Sequence, residues 1–142
     1  MGGALSRGIM GEFQSTVSAL CYSIIQERCR SLQSDLGFPH NDAVRFVLGQ
    51  HGRMTAHMRF PLIVLTLVFD WWGLVRFGGL FHRLSHGQRW RQIEAWQASS
   101  FGFCRDLMRF YESLVLFHEF SRFGEQTARD EQSESVRTRT AA

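Results

Sequence analysis

Three features of this 142-residue chain have residue types and spacings that could do chemistry. They are a histidine pair, His82 and His86, a cysteine beside an arginine, Cys104 and Arg105, and a lone carboxylate in an apolar run, Asp70. Histidines four apart share a helix face, a spacing that can ligate zinc. Here Ser85 reads as the N-cap of the next helix, which leaves His82 outside it, and no neighbouring Glu or Cys completes a shell. A thiol at a helix start next to a cation is biased toward thiolate, whereas the same Cys104 in a core is a small inert hydrophobe. Asp70 is the most costly group in the chain, because a buried carboxylate needs an arginine, a helix N-terminus or water. Arg76, Arg105 and Arg109 are the candidate partners, unless the helix surfaces at Asp70.

Other chemistries are excluded outright. All sixteen basic side chains are Arg, and without Lys neither a phosphate-binding loop of the Walker type nor a Schiff-base nucleophile can exist. The "FGG" at Phe77 to Gly79 is not a dinucleotide fingerprint and no strand–helix–strand pattern surrounds it. Cys21, Cys29 and Cys104 form no C-x-x-C pair and too small a set for a disulfide framework. The reading is a protein with no catalytic residues, no cofactor and no metal.

What stands out instead is arginine interleaved with aromatics. Arg83, Arg89, Trp90, Trp96, Phe101, Arg105, Arg109, Tyr111 and Glu112 crowd into the stretch from Gly78 to Phe117. Trp, Tyr and Arg dominate the energetics of protein interfaces, so these nine residues form a candidate partner interface. A solvated charged stripe is the plainer alternative. Nucleic acid is disfavoured, since the formal net charge is only +3 and no RNA-recognition signature is present.

Helices must position these residues, and no strand pattern competes. Phe13, Val17, Leu20, Cys21, Ile24, Ile25 and Leu32 recur at helical steps from Glu12 to Leu36, stopped by Gly37 and Pro39. A short helix follows Asn41 or Asp42, with Gly49 and Gly52 as breakers. Pro61 suits a first helical turn, and the all-round apolar run to Gly73 predicts a central helix. Ser85 and Gln88 form a capping box for a helix ending near Ala98. After the hinge Ser99 to Phe103, a last helix runs from Arg105 to Phe123. Together these make an all-α single domain of about four helices over residues 1–123. Residues 124–142 are too polar to offset ordering entropy and read as a disordered tail.

The stretch Phe60 to Val75 is membrane-like but short of the roughly 20 residues of a spanning helix. Trp71, Trp72, Arg59 and Arg76 suit a helix lying in a bilayer surface. The first ten residues do not read as a signal peptide, so the expected location is cytoplasmic, membrane-peripheral, or exported with a partner.

The order G-x-x-F-x-R-L (Gly78, Phe81, Arg83, Leu84), then R-x-x-x-I-x-x-W (Arg89, Ile93, Trp96), then S-x-x-x-x-R-D-L-x-R-F-Y-E-x-L resembles a segment of one known group. These are the small helical accessory subunits, or N-terminal helical extensions, that accompany flavin dehydrogenases of the glucose-methanol-choline type, including the small subunit of gluconate 2-dehydrogenase-like complexes. The resemblance covers Phe77 to Phe117. It implies a non-catalytic subunit that clamps and stabilises a larger flavoprotein without carrying the flavin. The competing expectation is a peripheral membrane protein anchored through Phe60 to Val75.

Overall fold

Helical periodicity in the sequence becomes five α-helices in the computed structural model, which describes residues 2–28 and 40–141. They are α1 (Gly2–Arg28), α2 (His40–Arg53), α3 (Ala56–Phe77), α4 (His86–Gln97) and α5 (Gly102–Thr140), with a 3-10 turn at Phe81–Arg83 between α3 and α4. The described residues contain no strand, so the all-α expectation holds with five helices in place of about four.

The termini of these helices shift from their expected places for local reasons. α1 begins at Gly2, well before Glu12, although everything up to Glu12 is exposed. Its expected end at Leu36, the stop at Gly37 and Pro39, and Cys29 lie outside the described residues. Asn41 and Asp42 sit inside the first turn of α2, and Gly49 and Gly52 do not interrupt it. α3 starts at Ala56 behind an extended Thr55, which places Pro61 inside the helix and beyond its first turn. It ends at Gly78, whose φ of 78° lets its N–H reach the Leu74 carbonyl, a left-handed cap that glycine adopts without a Cβ penalty. Ser85 does cap α4, and its backbone N–H donates to Gln88 Oε1 at 3.4 Å.

The central helix is α1, not α3. α1 packs against α2, α3, the 3-10 turn, α4 and α5, and its Val17, Leu20, Cys21 and Ile25 are wholly buried. α3 buries only the face carrying Thr66, Phe69, Asp70 and Gly73. An apolar periphery demands cover, and this chain covers one side of it alone. At Gly73 the packing is tightest. A Cβ there would lie 2.9 Å from the Gly79 carbonyl oxygen and 3.0 Å from the Phe81 nitrogen. The absence of a side chain is thus what lets the chain after α3 fold back onto it.

The expected polar tail contributes nothing to the core, and the structure gives it a helical backbone as the continuation of α5 to Thr140. Every residue from Thr127 to Ala141 is exposed. Thr127, Thr138 and Thr140 each donate a hydroxyl to the carbonyl four residues earlier, so even their polar side chains stay on their own helix.

A polar chain crosses the middle of the bundle. Thr66 donates to the Leu62 carbonyl at 2.7 Å, its oxygen lies 2.8 Å from the Tyr111 hydroxyl, and that hydroxyl lies 3.2 Å from His51 Nε2. Burial pushes the Tyr111 phenol up, and burial with the Arg59 charge pulls His51 down to about 4. Because the unfolded imidazole has its ordinary value near 6.5, the unfolded chain takes up the proton first as pH falls. Stability is therefore unaffected by His51 above about 6.5 and declines toward pH 4, by up to about 3 kcal/mol. Urea unfolding at pH 7 and pH 4.5 should show a larger loss in the natural chain than in His51→Gln. Equal losses would remove His51 as the cause.

Candidate docking face

The outward side of α3 is built from Phe60, Val64, Val68, Trp71 and Val75, spaced by three and four residues and so aligned along one stripe. Phe60 is 71% exposed, Trp71 60% and Val75 80%, with Trp72 and Leu74 also open alongside. Val64, Leu67, Val68, Trp71 and Trp72 wall a shallow concavity of about 420 Å³. A second concavity, of about 410 Å³, lies on the flank of α3 between Met58, Leu62 and Leu65 and the Phe103 and Phe110 side chains of α5. Arg59 and Arg76 bound the stripe at its two ends. Among the described residues α3 is the one helix long and apolar enough to cross a membrane, with a mean hydropathy of 1.6 and 22% of that window buried.

The stripe is uncharged because Asp70 turns inward. Its Oδ1 accepts the His82 backbone N–H at 3.1 Å and lies 2.9 Å from His82 Nδ1. None of Arg76, Arg105 and Arg109 fills the expected partner role. The approach of the chain to Gly73 presents the 3-10 turn to Asp70 before any arginine can reach it. Arg89 then holds the His82 carbonyl at 3.0 Å, and Gln92 donates to the Phe69 carbonyl, tying α4 to the same face of α3.

The nine residues expected at a partner interface separate. Trp96, 6% exposed, and Tyr111, fully buried, are core residues, which corrects their place on an interface. Trp96 meets Phe69 edge-on at 4.8 Å between ring centroids. Trp90 is half-buried beneath the Arg28 guanidinium at 5.5 Å. Glu112 is committed to Arg28 at 2.7 Å, and Arg105 to the Ser99 carbonyl at 2.9 Å. Arg89 faces inward as described. Only Arg83, Arg109 and Phe101 stand free on the surface. Phe101 stacks on exposed Phe103 at 5.5 Å, so the hinge between α4 and α5 carries an aromatic ridge whose Phe103 also lines the flank of α3.

The remaining reactive groups are placed structurally. His82 serves Asp70, His86 Nε2 lies 2.7 Å from Glu27, and Cys104 is buried. Burial raises the Cys21 thiol to about 12, which leaves no thiolate at neutral pH. No group of three or more His, Cys, Asp or Glu side chains converges as a metal site among the described residues. The carboxylate–imidazole contact escaped sequence reasoning because its partners are twelve positions apart and joined by a turn; the double glycine between them was its only trace. The chain matches no known protein-family model, no curated protein and no solved structure, and the reading of its function rests on its own residues.

Proposed function

We propose that this chain is a non-enzymatic helical protein that works against a membrane surface, with the outer face of α3 seated in the interfacial region of the bilayer. The observation that supports it is the uncharged stripe from Phe60 to Val75, exposed along its length, bounded by Arg59 and Arg76, and cleared of its single carboxylate by the inward turn of Asp70. Trp and Arg at the ends of an apolar segment favour the headgroup level, where ring and guanidinium keep polar contact while their apolar parts are buried. Seven large side chains moving their exposed halves out of water return about 1 kcal/mol each, several kcal/mol in all. The opposite face of α3 is occupied by α1, α4 and the Asp70–His82 contact, which argues for lying in the surface over crossing it.

The test is co-sedimentation with vesicles of phosphatidylcholine alone and with phosphatidylglycerol added. The natural chain should pellet with both, more strongly with the anionic ones because of the flanking arginines. Trp71→Glu with Val75→Glu should lose binding by at least about a hundredfold while melting as before, since both side chains point away from the fold. A natural chain that stays in the supernatant with either vesicle refutes the reading.

The stacked Phe101–Phe103 ridge, and separately the exposed Arg109 further along α5, favour a second reading, in which a larger protein, such as the catalytic subunit of a glucose-methanol-choline-type flavin dehydrogenase, covers this end of α5. Under that reading the Glu pair leaves co-purification of the large protein intact, while Phe101→Ala with Arg109→Ala abolishes it.

A further inference from the structure

A cavity of about 770 Å³ opens between α1, α2 and the stretch that carries His82 and Arg89. Its walls are Gln14, Ser15 and Tyr22 of α1, Leu48 of α2, and His82 and Arg89. The size falls within the range of about 300–1,000 Å³ typical of small-molecule sites. Among the described residues no carboxylate lines it, and Arg89 is the one fixed charge there.

Among the described residues Arg89 is a cation without a carboxylate counter-ion. No Asp or Glu oxygen lies within 4.0 Å of its guanidinium among the described residues, where Asp70 is taken by His82, Glu27 by His86 and Glu112 by Arg28. One of its terminal nitrogens is used on the His82 carbonyl, and its buried Nε has no hydrogen-bond partner among the described residues. Partial burial disfavours its charged form, and the neighbouring Tyr22 acts in the opposite sense. Removing a charge from water is costly unless an opposite charge replaces it, and the planar fork of arginine matches the two oxygens of a carboxylate or phosphate. Around it stand neutral hydroxyl and amide groups, while Ala19, Val44 and Leu48 make the far wall apolar.

We infer that this cavity binds a small organic oxyanion, a carboxylate or phosphate head on Arg89 with a short hydrocarbon portion against Val44 and Leu48. The proposal is independent of the membrane reading, because the cavity and the stripe share no lining residue.

Calorimetric titration with hexanoate, hexyl phosphate, hexanol and hexylamine decides it. Both anions should bind, with the alcohol and the amine at least about tenfold weaker. Arg89→Lys keeps the charge and loses the fork, so its affinity for both anions should fall by about tenfold. Ser15→Leu plugs the cavity from an exposed helix position and should abolish binding without changing the melting temperature; this variant decides the matter even if Arg89→Lys folds poorly. Hexanol binding as well as hexanoate, no binding of either anion, or natural affinity in Ser15→Leu would each overturn the proposal. Vesicles containing phosphatidic acid identify the source of the anion: weaker binding by Ser15→Leu than by the natural chain marks a lipid headgroup, and equal binding a free metabolite.

Discussion

Trp96→Ala should lower stability by about 3–5 kcal/mol, the range for deleting a buried large aromatic side chain. The ring is 6% exposed and wedged edge-on against Phe69, whose own ring lies 4.5 Å from that of Phe81. Its removal leaves a void where α3, α4 and the 3-10 turn converge, and those elements cannot close over it because Gly73 already holds two of them at contact distance. In a domain of this size each kcal/mol moves the melting temperature by about 3 °C, so a drop of about 10 °C or more is expected. Trp72→Ala, on the open side of α3, should change the melting temperature by a degree or two and act on vesicle binding instead. If Trp96→Ala melted like the natural chain and lost only a partner, the core assignment would fail and the aromatic-interface reading would return.

Asp70→Ala should cost about 3 kcal/mol, through loss of an acceptor more than through loss of a charge. It strands the His82 backbone N–H and one ring nitrogen in a part-buried site, and each unsatisfied donor costs about 1–3 kcal/mol. Asp70→Asn is the informative companion, because its amide oxygen can still accept from the backbone N–H and should recover about half of the loss. Denaturant unfolding of both variants at pH 7 separates the contributions. Equal stability of Asp70→Ala and the natural chain would mean that the carboxylate is not holding the turn.

The sequence was most legible where one rule acted alone. The α4 cap at Ser85 and Gln88, the buried stripe of α1 from Phe13 to Ile25, and the helical class of the described residues all follow from local spacing. It was least legible where two elements compete for one side chain. Trp96 and Tyr111 carry the residue types of an interface, yet tertiary contacts claim them for the core: Trp96 against Phe69, and Tyr111 through Thr66 and His51. Apolar composition placed α3 at the centre because periodicity counts greasy positions and cannot say how many neighbours will arrive to cover them. Asp70 was recognised as needing a partner, but a histidine delivered by a glycine-tight turn is a matter of chain path, not of spacing.

Gly73 and Asp70 sit three residues apart on the same side of α3 and together fix the azimuth of that helix about its own axis. A slip of one residue turns a helix by about 100°, which would carry the carboxylate toward the open side and drive a side chain into the backbone of Gly79. α3 therefore has a keyed side, where the identity of each residue matters, and an unkeyed side, where only its greasiness does. Shuffling Val, Leu, Ile and Phe among positions 64, 68 and 75 should leave the rotational setting untouched.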